Sequence, residues 1–264
     1  MNTAETRCKQ CGALYRKNTE ASEELKKILK GKIDYVPSCK CHEMFWENQL
    51  KDMEEKSEEE RKKNKGRKYM KYSITGAKFE ESLFENGDMN DKNFQICHRY
   101  ACSFLKKDVG IGLVLYGDVG TGKTFGSSCI ANHLMNNGKS VFVINLGLYL
   151  NKLKSEWSIG EKEMLKMAGE CDLLIIDDFG AEKVSDWVLE KVFLLIDERY
   201  RTGKPLIIST NLNYDKGGIN CEIRRIFGKR IKDRIDAICF PVSYKGESKR
   251  KADWQKNLKM FIDK

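Results

Sequence analysis

The amino-acid sequence predicts an α/β fold built on a central parallel sheet of five strands. From about residue 73, five short apolar runs alternate with helical stretches, and they read GLVLYG, SVFVINL, DLLIIDDF, PLIISTN and AICFPVSY. Near-continuous apolar strands separated by helices are typical of a parallel sheet that is covered on both faces. The length of 264 residues allows one such domain and a small appendage.

The appendage is a cysteine-rich segment, residues 1–42, in which two close pairs of thiols flank a short stretch of helical periodicity, TEASEELKKILKG. The paired residues are Cys8, Cys11, Cys39 and Cys41. A CxxC turn lets two thiolates reach one Zn²⁺ ion, and a second pair completes a tetrahedral set. We therefore expect a structural zinc module. The second pair has CxC spacing, which is closer than the usual CxxC, so His42 could replace one sulfur as a zinc ligand. The alternative to a zinc site is a set of free thiols on a flexible terminus.

Residues 43–72 are rich in charge, acidic in the first half and basic in the second. Their apolar content is too sparse to bury a helix face, which predicts a charged helical linker, either an exposed helix or a partly disordered connector. The sequence thus predicts three parts, residues 1–42, 43–72 and 73–264. Six further cysteines lie in or beside apolar runs and are interpreted as packing residues: Cys97, Cys102, Cys129, Cys171, Cys221 and Cys239.

The formal net charge of +9 is concentrated near the C-terminus, where residues 221–264 carry 13 Lys and Arg against 6 Asp and Glu. A basic end suits a polyanion such as nucleic acid, although a solvated surface has the same composition. Four lysines are candidates for phosphate contacts: Lys229, Lys232, Lys249 and Lys251. The start has no apolar leader, and no apolar run approaches the ~18 residues of a membrane span, so we expect a cytoplasmic protein without a membrane partner.

The segment GDVGTGKT, residues 117–124, fits the pattern GxxxxGK[ST] and lies between a predicted strand and a predicted helix. Such a loop turns backbone N–H groups onto phosphates, its lysine reaches the β and γ phosphates, and its hydroxyl binds Mg²⁺. The pattern therefore predicts an ATP site with Mg²⁺. The residues expected to contact the nucleotide are Gly117, Asp118, Val119, Gly120, Thr121, Gly122, Lys123, Thr124 and Phe125.

Two carboxylates follow the apolar run in DLLIIDDFG. Asp177 is expected to complete the Mg²⁺ shell with Thr124, and Asp178 to polarise an attacking water. Many ATPases have Glu at the second position, so the shorter Asp178 predicts slow or partner-dependent hydrolysis. Asn211 ends the run PLIISTN and could orient the water, provided that its strand lies between the strands of the other two motifs.

Together, GDVGTGKT, the stretch LLIIDDFGAEKVSDWVLEKVFLLIDERYRTGKPLIISTNL and GKRIKDRID resemble the AAA+ helicase loaders of the DnaC and DnaI type. The likeness covers roughly residues 79–251. It implies an AAA+ ATPase that assembles as a homo-oligomer, binds single-stranded DNA and delivers a hexameric replicative helicase onto it during replication initiation. It also implies that residues 1–70, which include the cysteine-rich segment, form an arm that docks on that helicase.

The resemblance assigns further roles by position. Lys123 and Thr124 correspond to the Walker A pair, Asp177 and Asp178 to the Walker B pair, and Asn211 to sensor 1. Arg234 corresponds to the arginine finger that enters a neighbouring subunit's ATP site, whereas a solvated helix face is its alternative. Arg250, in YKGESKR, corresponds to sensor 2, and the few residues after it allow one helix, hence a minimal C-terminal lid.

Two other functions fit the same motifs. A transposition helper ATPase of the IstB type shares the core, although DDFGAEK and the cysteine-rich arm favour the loader. A nucleotide-dependent module that regulates replication with little hydrolysis is the third, because Asp178 replaces the usual Glu.

Overall fold

A computed structural model describes residues 7, 8, 10–17, 19, 23, 35–37, 39–73, 75, 76, 78–107, 110–155, 161–218 and 221–250, with the side chains of residues 35–37, 42–50, 52 and 155 excepted. The chain divides into two units, Met1–Glu60 and Arg61–Lys264. Most of the helix predicted between the thiol pairs, and the predicted C-terminal helix ADWQKNLKMFI, lie outside the described residues.

The first unit contains an antiparallel strand pair, β1 (Tyr15–Lys17) and β2 (Tyr35–Pro37), in which Arg16 pairs with Val36. Helix α1 (Cys41–Gly66) begins in this unit and continues into the second. Every described side chain from residue 51 to residue 65 of α1 is exposed, as expected for a helix without an apolar face. The predicted linker is therefore helical over most of its length.

The second unit contains the five-stranded sheet that the apolar runs predicted. Its strands are β3 (Gly112–Gly117), β4 (Val141–Asn145), β5 (Leu173–Asp177), β6 (Leu206–Thr210) and β7 (Cys239–Tyr244). The strand order is β4-β5-β6-β3-β7, and every neighbouring pair is parallel. Strand β6 thus lies between β3 and β5, which is the arrangement that brings Asn211 between the two other motifs.

Helices and short turns connect the strands. The helices are α2 (Lys92–Lys106), α3 (Lys123–Asn136), α4 (Leu146–Ser155), α5 (Glu161–Glu170), α6 (Asp186–Thr202), α7 (Glu222–Phe227) and α8 (Lys229–Ile238). Two 3₁₀ turns, Met70–Tyr72 and Phe84–Asn86, precede α2. None of the helices in the described part of the chain has the length and apolar character that crossing a bilayer requires.

Both faces of the sheet are buried, because alternate residues of one strand enter different apolar clusters. In β3, Val114 packs in one cluster, whereas Leu113 and Leu115 pack in the other. Five of the six cysteines interpreted as packing residues are buried, and Cys102 is half-buried. Burial raises the pKa of Cys97 to about 11 and that of Cys129 to about 12, so these thiols stay protonated at neutral pH.

A buried arginine connects α6 to the strands beside it. The Arg199 guanidinium is fully buried and donates hydrogen bonds to the carbonyl oxygens of Ala168 and Cys171, at 2.8 and 2.9 Å. It also donates to the carbonyls of Asp172 and Pro205. A charge can be buried only where polar groups surround it, so these carbonyls hold Arg199 in place. This contact gives the Arg of the stretch ERYRTGKP a structural role.

Candidate nucleotide-binding site

The phosphate loop connects the end of β3 to the start of α3. Gly117 and Gly122 have φ angles of +127° and +101°, a backbone region that other residues rarely adopt. A Cβ atom on Gly117 would also lie 2.1 Å from the carbonyl oxygen of Tyr244 on the neighbouring strand. The glycines therefore permit a tight turn that aims the N-terminal N–H groups of α3 at the cavity, as anion binding requires.

The ammonium group of Lys123 lies inside this loop. Its side chain donates to the carbonyl oxygens of Gly117 and Asp118, at 2.9 and 2.6 Å, and only 7% of the residue is exposed. Burial lowers the pKa of Lys123, and the Asp118 carboxylate opposes that shift. The loop itself is braced by Thr121, whose hydroxyl donates to the same Asp118 carbonyl at 2.8 Å. Lys123 is thus held where phosphate oxygens could replace the carbonyls.

Asp177 lies at the end of β5 and accepts two hydroxyl hydrogen bonds. Thr124 donates to its Oδ1 at 3.0 Å, and Ser209, from β6, donates to the same oxygen. Burial raises the pKa of Asp177, an effect that the Ser209 hydroxyl opposes. A carboxylate and a hydroxyl adjacent to a phosphate loop form a donor set of the hard oxygen type that Mg²⁺ prefers. The residues present therefore fit the predicted ion.

Asp178 adopts a left-handed backbone conformation, with φ of 54°. Its Oδ2 accepts a hydrogen bond from the side-chain amide of Asn145 at 3.0 Å, and its backbone N–H donates to Ser209 at 3.2 Å. Asn145, at the end of β4, in turn accepts from the backbone N–H of Leu148 at 3.1 Å. Asn145 was not predicted from the sequence. The sequence did offer one indication of its role, because Asn145 is a polar residue at the carboxyl end of an apolar strand, and ligands bind at that end of the strands in open α/β sheets.

A cavity of about 570 Å³, a volume typical of small-molecule sites, lies at the phosphate loop. Gly117, Asp118 and Asp177 are not among the residues that line it. Most of the predicted nucleotide residues line it, together with Asp178, Asn211 and Arg250. One wall is formed by the rings of Phe94 and Phe125, which stack with centroids 5.6 Å apart. The structure thus brings Lys123, Asp178 and Asn211 to one cavity from segments that follow three different strands.

The segment after β7 lies against the phosphate loop. Gly246 donates its backbone N–H to the carboxylate of Asp118 at 3.0 Å, and Lys249 donates its backbone N–H to the carbonyl of Gly120 at 2.9 Å. The Lys249 ammonium forms an ion pair with Asp91, the residue that caps α2. Arg250, the next residue, lines the same cavity.

Arg234 lies outside this cavity. Its Nε donates to Asp197 at 2.6 Å, and its guanidinium is 4.7 Å from the ring centroid of Phe193 and 5.5 Å from that of Tyr200. About one fifth of its side chain is exposed. Arg234 is therefore oriented on the surface of α6 and α8, and it does not line the cavity of its own chain.

The prediction that Lys232 contacts phosphates is wrong. Lys232 is 3% exposed, and its ammonium binds both carboxylate oxygens of Asp236, one helical turn later on α8. A buried ammonium already neutralised by a carboxylate cannot reach a polyanion. Of the other three lysines in this prediction, Lys229 is exposed, Lys249 is paired with Asp91, and Lys251 lies outside the described residues.

In the first unit, the sulfur atoms of Cys8, Cys11, Cys39 and Cys41 all lie within 4.8 Å of one another. A hydrogen bond from the backbone N–H of Cys11 lowers the pKa of the Cys8 thiol to about 7. A hydrogen bond with the side chain of Cys11 raises the pKa of the Cys41 thiol to about 12. Four thiols this close fit tetrahedral Zn²⁺, which binds thiolates and offsets their mutual repulsion. The side chain of His42, the alternative ligand, lies outside the described residues.

Comparison with known proteins places this site in a family. The chain is 27% identical over 197 residues to the replicative helicase loader DnaI of Bacillus subtilis (strain 168). The aligned region covers 69% of this chain and 61% of that protein. It is 29% identical over 127 residues to the replicative helicase loader DnaC of Escherichia coli (strain K12), covering 46% and 49%. The chain therefore spans about half to three fifths of the length of these relatives.

The fold is that of a solved DnaI structure, which is 22% identical, with a TM-score of 0.55 over 67% of this chain and 95% of that one. This similarity confirms the predicted α/β fold. A family model described as IstB-like ATP binding protein matches residues 23–257, a range that includes the phosphate loop, the paired carboxylates and Asn211. The chain accordingly belongs to the family of IstB-like ATP binding proteins.

Proposed function

We propose that this protein is an ATP-controlled loader that delivers a hexameric replicative helicase onto single-stranded DNA during replication initiation. The observation that carries the proposal is a complete phosphate loop, with its acidic pair, in a chain similar to two proteins named replicative helicase loaders. ATP binding would assemble the chain into a homo-oligomer, and single-stranded DNA and the helicase would be its partners.

Within the site, Lys123 would hold the β and γ phosphates, while Thr124 and Asp177 would hold Mg²⁺. The ion would neutralise charge on the phosphates. Asp178 would polarise the attacking water, Asn211 would orient that water, and Arg250 would contact the nucleotide. The side-chain amide of Asn145 donates a hydrogen bond to one carboxylate oxygen of Asp178. ATP hydrolysis should therefore be slow until DNA or a partner protein breaks this hydrogen bond.

Residues 1–42 would form a zinc module, residues 43–72 a charged linker, and residues 73–264 the ATPase domain. Residues 1–70 together would be the arm that docks on the helicase. The sulfur cluster supports the zinc assignment because all four groups already lie within reach of one ion. A unit of this size buries little apolar surface, so the metal would supply much of its folding free energy.

Cys8→Ser is expected to remove the bound zinc. The purified protein should contain about one zinc per chain, and the variant close to none, because a structural site needs all four ligands. Elemental analysis of the two proteins measures this ratio. Cys102→Ser is the matched control, since Cys102 is half-buried and lies outside the cluster, and it should retain the metal. Equal zinc in Cys8→Ser and in the control would contradict the assignment.

Capture of the helicase tests the proposed function directly. The full chain should bind the replicative helicase of its source organism when ATP is present, as measured by affinity capture and light scattering. A chain beginning at Arg61, where the second unit starts, should no longer bind the helicase but should still bind ATP. Failure of the full chain to bind the helicase under any nucleotide condition would remove the loader proposal.

The second candidate function is a transposition helper ATPase, which the IstB-like description of the family favours. It predicts binding to a transposase and to target DNA instead of to a helicase. Affinity capture with the transposase as bait separates the two candidates, because each predicts a different protein partner for the same nucleotide site.

A further inference from the structure

A second cavity of the Arg61–Lys264 unit lies apart from the nucleotide site. It is a groove of about 700 Å³ between the 3₁₀ turn Met70–Tyr72 and one face of α5. Its lining residues are Lys68, Tyr69, Lys71, Tyr72, Lys162, Glu163, Lys166, Met167 and Glu170. Four ammonium groups and two phenol rings therefore face a groove that contains two carboxylates, and we name this surface the lysine–tyrosine groove.

One wall of the lysine–tyrosine groove is fixed to the edge strand β4. The ring of Tyr69 packs against Phe142 with centroids 6.1 Å apart, and its hydroxyl donates to Glu170 at 3.2 Å. The hydroxyl of Ser73 accepts a hydrogen bond from the backbone N–H of Val143 at 3.1 Å. These contacts join the turn to the sheet and to α5, so the groove has a defined shape before any ligand binds.

The charges of the groove are available to a ligand. Lys68 and Lys166 are 3.8 and 3.7 Å from carboxylate oxygens of Glu170, and their side chains are 58% and 71% exposed. Exposed pairs of this length contribute little to stability, so phosphate groups can replace the carboxylate. Lys71 and Lys162 are exposed as well and lie on opposite walls.

The aromatic ring of Tyr72 indicates which kind of polyanion the lysine–tyrosine groove binds. Tyr72 is half-buried and packs against the apolar core, and the Lys71 ammonium lies over its ring, 4.6 Å from the centroid. Proteins that bind single-stranded nucleic acid combine a basic groove for the backbone with aromatic rings on which bases stack. A duplex keeps its bases stacked on one another, so it would use the lysines but not the ring.

We propose that the lysine–tyrosine groove binds single-stranded DNA, with phosphates on the lysines and a base on Tyr72. This inference rests on the proposed function, because it assigns to a surface the DNA that a loader must hold. The groove lies outside the nucleotide cavity, so DNA bound there would leave the ATP site accessible.

The test is fluorescence anisotropy with a labelled oligothymidylate of about 20 nucleotides, long enough to cover one site. Lys71→Ala/Lys162→Ala should weaken binding at least tenfold at low salt. It should also reduce the slope of log affinity against log salt by about 1.4, since each lost contact with a single strand contributes about 0.7. Lys106→Ala/Lys107→Ala, which removes two exposed lysines outside the groove, should leave both values unchanged.

A second pair of variants tests the stacking. Tyr72→Leu should weaken binding of the single strand by about tenfold, whereas Tyr72→Phe, which keeps the ring, should bind like the wild type. Neither substitution should change the affinity for a duplex of the same length. Loss of duplex binding equal to the loss of single-strand binding would overturn the assignment of Tyr72.

The outcomes separate this inference from the proposed function. If the wild-type protein does not bind the oligonucleotide, the loader proposal fails together with the groove. If the wild type binds and Lys71→Ala/Lys162→Ala binds equally well, the groove assignment alone is overturned. Loss of helicase capture by this variant with unchanged DNA affinity would also overturn it, because the groove would then be a protein-binding surface.

Discussion

Lys123→Ala is expected to abolish ATP binding. The ammonium is 7% exposed and donates to two carbonyl oxygens of the phosphate loop, the position from which it would bind the β and γ phosphates. Each hydrogen bond that involves a charged group contributes about 1.5–3 kcal/mol. Two such bonds correspond to a loss of at least about 100-fold in affinity, since tenfold equals about 1.4 kcal/mol.

Titration calorimetry with a slowly hydrolysed ATP analogue measures this loss. Lys106→Ala, an exposed lysine of α2, is the matched control and should bind like the wild type. Thermal unfolding of both variants should match that of the wild type, because Gly117 is half-buried and Asp118 is exposed, so water can replace the ammonium at their carbonyls. A folded Lys123→Ala protein that kept its affinity would contradict the assignment of the phosphate site.

Local sequence patterns were sufficient to place the GxxxxGK[ST] segment between a strand and a helix and the two carboxylates at the end of a strand. The geometry of a strand, a glycine-rich turn and a helix depends on residues that are neighbours in the chain, such as Gly117, Gly122 and Lys123. The role of Asn211 depended on a strand order that local patterns do not specify. Since β6 lies between β3 and β5, Asn211 reaches the cavity that contains Lys123 and Asp178.

Contacts between distant elements were not predictable in the same way. The hydrogen bond from Asn145 to Asp178 joins two strands across 33 residues, and no spacing rule indicates it. Lys232 was wrongly interpreted because a basic composition does not show which side chains are buried. The signal was present in IKDRID, where Asp236 is four residues from Lys232 and Ile235 is three, so that the lysine shares a helix face with both its carboxylate partner and a buried isoleucine.

The second large effect is expected for Arg234→Ala, which should leave ATP binding intact and reduce assembly-dependent hydrolysis by about 10³-fold or more. Arg234 does not line the cavity of its own chain, so it can act on ATP only in a neighbouring subunit. Its guanidinium is held over Phe193 and Tyr200 by Asp197, which orients it at the surface before assembly. The measurement is ATP turnover as a function of protein concentration, with and without single-stranded DNA.

A purely structural role would give a different result. In that role Arg234 would only join α8 to α6 through Asp197, so Asp197→Asn would reduce turnover as much as Arg234→Ala. The finger role predicts a smaller effect for Asp197→Asn, because the guanidinium remains. Arg230→Ala is the matched control, since Arg230 is one turn earlier on α8, also lies over Phe193 and is exposed.

Mixing two inactive proteins decides whether Arg234 acts between subunits. In a mixture of Arg234→Ala and Asp178→Asn, some interfaces pair an intact Asp178 in one subunit with an intact Arg234 in its neighbour. These interfaces should hydrolyse ATP, so the mixture should recover part of the wild-type rate although each protein alone is inactive. A structural defect is confined to the subunit that carries it and cannot be complemented in this way. No recovery in a mixture shown to co-assemble would therefore remove the finger assignment while leaving the nucleotide site in place.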